Sequence, residues 1–317
     1  MTSPTHSMQH SYAIVGTGAI GGYYGACLQQ AGAEVHFLLR SDYDVVQRQG
    51  LRVDSVDGDF VLPQVNAYRD VMEMPLCDVV ILALKTTQNH LLEKLLPPLL
   101  KDNGVVLVLQ NGLGMEDLAA AIAGPQRVMG GLCFICSNKV GPGHIRHLDY
   151  KAIALGEYTP DHTPGGLTPR LEAIATDFEA ANIPIRRTAD LLLARWQKLL
   201  WNIPFNGLSV VLRATTQEMM ADAAVRQLAL EIMEEVGAIA AASGRPIAPT
   251  YLHDLIDHTD QMKPYLTSMR LDYDARRPLE LDAIFNNPLQ AAAQAGITVP
   301  RIDMLYRQLV FLDAQNR

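Results

Sequence analysis

A glycine-rich turn between an apolar strand and a helix constrains the fold of this chain more than any other feature. Residues 11–15 form a short apolar run, and Gly16-Thr17-Gly18-Ala19-Ile20-Gly21-Gly22 then leads into a helical pattern. Further continuous apolar runs, separated by helical segments, follow at 34–39, 79–84 and 105–109. Runs of this kind are typical of parallel strands covered on both faces, so the sequence predicts an α/β fold with a Rossmann-type doubly wound sheet.

The second part of the chain has a different pattern. No strand pattern is found after Asp190, and helical periodicity recurs at 189–202, 221–243, 288–295 and 301–314. Before this change, the alternating run at 51–62 around Asp57-Gly58 predicts a small hairpin. The pattern at 168–181 predicts a helix, and that at 183–186 predicts an edge strand. Because 317 residues exceed one usual core, we expect a Rossmann domain at 9–187 and an all-helical domain at 188–317.

Composition restricts the classes of function. A net charge of −8 argues against nucleic acid as a partner, because affinity for phosphate backbones depends on clustered Lys and Arg. No apolar run reaches membrane-spanning length, and residues 1–8 resemble a short disordered leader rather than a signal peptide, so we expect a cytoplasmic protein.

The cysteines and histidines give no sign of a metal centre. The four cysteines have apolar surroundings, and the strand expected at 132–136 would point Cys133 and Cys136 to opposite faces. A packed core therefore explains these two cysteines better than a redox pair does. The nine His residues show no metal-ligand spacing, and we expect no metal site.

The glycine turn itself predicts a dinucleotide site. Gly16 permits a tight turn, Gly18 lets the backbone approach a pyrophosphate, and Gly21 allows the helix to pack closely on the strand. The helix N-terminus then faces the phosphates. A purely structural turn is the alternative, but the strand before it and the helix after it favour cofactor binding by residues 16–21.

Residues at the carboxyl ends of the next strands extend this site. An acid after the second strand would bind a ribose 2′-hydroxyl, whereas a cation accommodates a 2′-phosphate, and here the strand ends at Arg40. NADP(H) is therefore favoured over NAD(H), unless Arg40 is simply a solvated surface side chain. Lys85 and Asn111 follow later strands at the sheet edge where ligands bind, although each also fits ordinary turn chemistry.

Three polar side chains recur at four-residue spacing in an otherwise apolar helical stretch. They are Lys198, Asn202 and Asn206, and Pro204 between the two amides is expected to kink the helix. Successive members are rotated by only roughly 40°, so all three point from one face. Buried amides and ammonium groups need partners, and a bound polar ligand is one, so the pattern favours a substrate site over a solvated stripe.

Together these residues resemble the ketopantoate reductase (2-dehydropantoate 2-reductase) family over nearly the whole chain. The matching motifs are the turn at 16–22, Arg40, Lys85 with Gln88, Gln110-Asn111-Gly112, Gly141-Pro142-Gly143, Lys198 with Asn202 and Asn206, and Ser268-Met269 followed by Glu280. The resemblance implies NADPH-dependent reduction of a 2-oxo acid to the 2-hydroxy acid, with 2-dehydropantoate as the expected substrate and pantothenate biosynthesis as its place in metabolism.

The resemblance also implies roles for single residues. The lysine that matches Lys198 is the family's proton donor, and Glu280 completes the catalytic site. Substrate contacts are implied for Asn111, Asn202, Asn206 and Ser268. Cofactor contacts are implied for Gly16, Thr17, Gly18, Ala19, Ile20, Gly21, Arg40, Lys85, Gln88 and Asn111. Without the resemblance, Glu280 fits a charge at a helix N-terminus equally well.

Several alternatives stay open at this point. His147-Leu148-Asp149 and Asn286-Asn287-Pro288 depart from the usual family patterns, so the acid could differ from ketopantoate. An NADP-dependent 3-hydroxyacid dehydrogenase and a non-catalytic NADPH-sensing protein are the rival functions. The apolar helical faces fit either internal packing or a homodimer.

Overall fold

The chain builds one mixed sheet first and only helices afterwards. The computed structural model describes residues 8–316, so residues 1–7 of the expected leader lie outside the described part. The strands are β1 (Ser11–Val15), β2 (Glu34–Leu38), β3 (Leu51–Ser55), β4 (Phe60–Leu62), β5 (Asn66–Tyr68), β6 (Cys77–Leu82), β7 (Leu100–Val108), β8 (Val128–Gly141), β9 (His144–Glu157) and β10 (Ile185–Thr188). The predicted fold class is confirmed.

The sheet has a parallel centre with the strand order β5-β2-β1-β6-β7-β8. This order reverses direction at β1, which is the arrangement that places ligands at the carboxyl ends of the strands. β9 pairs antiparallel with β8, and β10 pairs parallel with β9. β10 begins at Ile185, two residues later than expected, because Pro184 has no N–H to donate to the ladder.

The hairpin predicted at 51–62 is present but is part of the main sheet. β3 pairs antiparallel with β4 and, on its other side, parallel with β9. The sequence therefore predicted the hairpin correctly, but it did not predict that β3 pairs with β9. The long β8–β9 pair was also only partly expected, since only 132–136 was predicted as strand.

Helices complete the structure of the described residues. They are α1 (Ala19–Gln30), α2 (Tyr43–Gln49), α3 (Leu92–Leu95), α4 (Met115–Ala123), α5 (Pro169–Ala180), α6 (Leu191–Val211), α7 (Thr216–Ala221), α8 (Ala223–Ala242), α9 (Pro249–Gln261), α10 (Ser268–Asp274), α11 (Asn287–Gln294) and α12 (Pro300–Asn316). One turn of π-helix, Asp282–Asn286, leads into α11. No helix within the described range is long and apolar enough to cross a bilayer.

Two compact units divide the chain. The first contains the chain up to Gln110 together with Met115–Leu191, and the second contains Asn111–Gly114 together with the chain from Leu192 onward. Each has its own core, with Tyr12, Phe37 and Phe178 buried in the first and Trp196, Phe205 and Phe285 buried in the second. All four cysteines lie within the described residues, are buried and form no disulfide bond, including Cys133 and Cys136 on β8.

Candidate functional site

The turn between β1 and α1 has the geometry of a phosphate-binding turn. Gly16 has φ of +106°, and a Cβ there would overlap the backbone of Ala83 and Leu84, so only glycine fits. At Gly18, in contrast, an added Cβ would meet nothing within 4 Å. No side chain caps the N-terminus of α1, and its first turn has no acidic residue. These N–H groups are therefore suited to an anion in the open space beside Gly18.

The carboxyl end of β2 lies next to this turn. The hydroxyl of Thr17 donates to the carbonyl oxygen of Leu38 at 3.0 Å, which ties the glycine turn to the last residue of β2. Leu39 is buried, and its N–H donates to the Tyr68 carbonyl at 2.8 Å. Arg40 follows with an exposed side chain. The guanidinium expected to bind a 2′-phosphate is therefore exposed to solvent, while a hydrogen bond holds the backbone of the preceding residue.

A hydrogen-bond network holds the segment after β6. The buried side chain of Gln110 donates to the Leu84 carbonyl at 2.8 Å and to Oδ1 of Asn89 at 2.7 Å. Lys85 is exposed in this segment, and its carbonyl accepts from the N–H of Gln88 at 2.8 Å. Gln110 was noted in the sequence only as part of a motif. Its burial and two contacts make it the residue that positions the segment carrying Lys85 and Gln88.

Asn111 belongs to the second unit, although it directly follows Gln110 and lies only three residues after the end of β7. The N–H of Leu113 donates to the Ala283 carbonyl at 2.9 Å, and the side chain of Asn287 donates to the Leu113 carbonyl at 2.7 Å. The short segment 111–114 is therefore held against the π-helical turn. This attachment places the half-buried Asn111 in the same unit as the helical candidate residues.

The polar face predicted on α6 is present, and most of it is buried. Lys198 is half-buried, whereas Asn202 is 3% and Asn206 is 2% exposed. Nδ2 of Asn202 and Oδ1 of Asn206 are buried without a hydrogen-bond partner. Such atoms cost stability in a folded protein, roughly 1–3 kcal/mol each, unless a ligand or water satisfies them. α6 is continuous through Pro204.

Ser268 is placed by two buried hydroxyl groups. The Ser209 hydroxyl on α6 donates to the Asn206 carbonyl at 2.9 Å and lies 2.7 Å from the Thr267 hydroxyl. Thr267 caps α10 by accepting from the N–H of Arg270 at 3.2 Å. The start of α10, and with it Ser268, is thereby tied to α6 at the level of Asn206. Ser209 and Thr267 did not stand out in the sequence, because their contacts are long-range.

Glu280 lies directly before the π-helical turn and is buried, with 6% of its surface exposed. The neighbouring Leu279 donates its N–H to Oδ1 of the buried Asp313 on α12 at 3.0 Å. A solvated charge at a helix N-terminus does not fit this burial, since a carboxylate leaves water only with compensation.

The predicted residues therefore form two sets, one in each unit. The first unit holds the glycine turn, Arg40, Lys85 and Gln88. The second unit holds Asn111, Lys198, Asn202, Asn206, Ser268 and Glu280. The first set supplies backbone N–H groups and cations suited to phosphates. The second supplies an ammonium, a carboxylate and hydrogen-bonding groups suited to a small polar substrate.

Comparisons with known proteins match both units. The model of the family described as Ketopantoate reductase PanE/ApbA matches residues 12–160, and the C-terminal model of the same family matches residues 190–312. A 2-dehydropantoate 2-reductase from Nostoc sp. is 58% identical over 98% of this chain and 97% of that protein.

Solved structures agree with these matches. The 2-dehydropantoate 2-reductase of Geobacter metallireducens is 44% identical, with a TM-score of 0.91 over 97% of this chain and 100% of that one. The enzyme of the same name from Methylococcus capsulatus is 32% identical, with a TM-score of 0.86 over 96% of this chain and 97% of that one.

Proposed function

The chain belongs to the ketopantoate reductase family, and from this premise we propose that it reduces 2-dehydropantoate to pantoate with NADPH. Membership places it among the oxidoreductases that act on CH–OH groups with NADP(H). Within the proposal, residues 9–187 bind the cofactor and 188–317 the substrate. The reaction belongs to pantothenate biosynthesis, and four cysteines that form no disulfide bond are compatible with a reducing cytoplasm.

Two unsatisfied amide atoms support this function most directly. Nδ2 of Asn202 and Oδ1 of Asn206 are buried on the face of α6 that also carries Lys198. One is a donor and the other an acceptor, so a single ligand that satisfied both atoms would carry both kinds of group. A hydroxylated 2-oxo acid offers carboxylate and ketone oxygens as acceptors and its hydroxyl as a donor.

The chemistry assigned to the helical unit follows from the charge that the reduction creates. A ketone that accepts a hydride becomes an alkoxide, which needs a proton and donors aimed at the developing charge. Lys198 carries an ammonium and provides both, and Glu280 completes the catalytic site in this proposal. Asn111, Asn202, Asn206 and Ser268 hold the substrate in the reacting geometry, which supports kcat through orientation.

The first unit provides the cofactor site in this proposal. The open space at Gly18 and the uncapped N-terminus of α1 fit a pyrophosphate, and the exposed Arg40 fits a 2′-phosphate. Thr17, Ala19, Ile20 and Gly21 complete the turn, while Lys85 and Gln88 follow β6 at the same sheet edge. Bound NADPH supplies the hydride. Arg40 favours NADPH over NADH, because its guanidinium makes charge-assisted hydrogen bonds to a phosphate.

NADPH oxidation against a panel of acids tests the proposed function. The panel contains 2-dehydropantoate, 2-oxo acids without the hydroxyl group, and 3-hydroxy acids assayed in the oxidative direction with NADP⁺. We expect kcat/KM to be highest for 2-dehydropantoate. Preferred oxidation of a 3-hydroxy acid would indicate a hydroxyacid dehydrogenase instead, and tight NADPH binding without turnover would indicate a sensor.

A further inference from the structure

The turn between β8 and β9 contains the Gly141-Pro142-Gly143 motif, which the proposed function does not explain. Gly143 has φ of +63°, and an added Cβ would lie 2.9 Å from Cγ2 of Val46 on α2. Its carbonyl accepts from the N–H of Arg52 at 2.8 Å, and its own N–H donates to Oδ2 of Asp42 at 2.9 Å. A residue other than glycine would separate this turn from α2.

Asp42 is the residue that connects this turn to the cofactor side of the first unit. It occupies the N-cap position of α2, where an aspartate ordinarily accepts hydrogen bonds from the first turn of the helix. Its carboxylate makes no such bond and instead accepts from Gly143 and pairs with Nζ of Lys139 at 2.6 Å. The hydroxyl of Ser41 donates to the other oxygen at 3.0 Å.

These contacts take the Asp42 carboxylate away from solvent. Asp42 is buried, with 4% of its surface exposed. Burial alone would raise its pKa, but the hydrogen bonds from Lys139, Gly143 and Ser41 lower the pKa below its ordinary value. Arg40, two residues earlier, is exposed and lies between this anchor and the buried Leu39.

We propose that Asp42 is a positioning residue for coenzyme selection. Its contacts with the β8–β9 turn fix the segment that presents Arg40 to the 2′-phosphate of NADPH. They also engage the Asp42 carboxylate, which would otherwise be available to accept a hydrogen bond from a ribose 2′-hydroxyl. NADH has this hydroxyl where NADPH has the 2′-phosphate. This inference depends on the proposed preference for NADPH and extends it to a residue that does not touch the cofactor.

The sign of a binding change separates positioning from simple electrostatics. Removal of a negative charge near a phosphate site would strengthen NADPH binding if Asp42 acted only through its charge. Loss of the anchor would weaken NADPH binding and leave NADH binding nearly unchanged. Calorimetric titration of NADPH and NADH into the full-length protein measures both dissociation constants without relying on turnover.

We expect Asp42→Ala to raise the Kd of NADPH about tenfold and to change the Kd of NADH less than about twofold. Asp42→Asn keeps an acceptor for the N–H of Gly143 but loses the charge that pairs with Lys139, so its NADPH Kd should fall between those of wild type and Asp42→Ala. Asp44→Ala is the matched control, because Asp44 is exposed and pairs only on the surface, with Arg69. The dissociation constants of this variant for NADPH and NADH should equal those of wild type.

Asp42→Asn keeps the test decisive if Asp42→Ala does not fold, because loss of a negative charge alone would lower the Kd of NADPH, whereas a weakened anchor raises it. It should raise the Kd of NADPH about threefold. An unchanged or lower NADPH Kd in the folded variants, or equal changes for both cofactors, would overturn the inference. Arg40→Ala in the same titration separates the proposed NADPH preference through Arg40 from the positioning role of Asp42. If wild type prefers NADPH and Arg40→Ala removes the preference while the Asp42 variants keep it, only the positioning role fails.

Discussion

At the scale of single residues, the spacing of Lys198, Asn202 and Asn206 was readable from the sequence because helical periodicity alone puts them on one face. The sequence favoured a buried substrate site over a solvated stripe, and the structure shows both amides buried. The two atoms without partners could not be predicted, because hydrogen-bond satisfaction depends on every neighbour in the folded unit. The positioning roles of Gln110, Ser209 and Thr267 were missed for the same reason.

Replacement of Asn206 by leucine should separate function from stability. The variant removes a buried acceptor that has no partner, so we expect the melting temperature to stay the same or to rise. We expect kcat/KM for the oxo acid to fall by about 10²-fold, as the substrate loses an orienting contact. Calorimetry and steady-state kinetics on one preparation measure both quantities.

Asn287→Leu is the matched control for stability, because the amide of Asn287 donates to the Leu113 carbonyl at 2.7 Å. This variant should lower the melting temperature by about 2–4 °C. A larger loss of stability in Asn206→Leu than in Asn287→Leu would show that the Asn206 amide supports the fold rather than the ligand.

At the scale of helices and strands, long periodic segments were predictable and short or register-dependent ones were not. The sheet centre and α6 follow directly from apolar periodicity. α7, α9 and α10 were missed, and the single helix expected at 221–243 begins at Ala223, where Asp222 caps α8 by accepting from the N–H groups of Ala224 and Val225. The attachment of β3 to β9 depends on strand register between distant segments, which local patterns do not encode.

The hydroxyl pair at the start of α10 should affect substrate binding through Ser268. Thr267→Val removes both the helix cap and the contact with Ser209, so we expect a melting temperature lower by about 2–4 °C and a KM for the oxo acid at least about threefold higher. The KM for NADPH should stay constant. Thr267→Ser keeps the hydroxyl and should behave like wild type, whereas an effect of equal size in Thr267→Ser would contradict a role for the hydroxyl.

A carboxylate that joins three strands should make unfolding depend on pH. Asp78 at the start of β6 accepts from the N–H of Ser11 at 2.9 Å and from the Lys101 ammonium at 2.9 Å. Burial alone would raise its pKa, but these hydrogen bonds lower it from 3.8 to about 2. Because the folded pKa is the lower one, the stabilisation is complete above about pH 4 and disappears as the pH falls through about 2.

Asp78→Asn should therefore lower the melting temperature at pH 7 by about 2–5 °C, with the difference shrinking between pH 4 and pH 2. Glu73→Gln removes an exposed carboxylate from the same unit and should show no comparable pH-dependent change. A constant difference between Asp78→Asn and wild type across this range would contradict the assigned cause.

At the scale of the whole molecule, the change from sheet to helices was predictable because the two parts have different periodicity. The structure assigns residues up to Leu191 to the first unit, apart from 111–114, which belongs to the second. No local pattern indicates that residues 111–114, shortly after β7, pack against the π-helical turn at 282–286, so this assignment required the structure. It explains how Asn111, close to cofactor residues in the sequence, shares a unit with Lys198.

The turnover number of Lys198→Ala tests the central claim most directly, namely that the ammonium on α6 protonates the alkoxide formed from a 2-oxo acid. It is measured at saturating NADPH and 2-dehydropantoate, together with the Kd of NADPH. The account predicts a fall in kcat of roughly 10²- to 10⁴-fold with nearly unchanged NADPH affinity. A turnover number within threefold of wild type would contradict it.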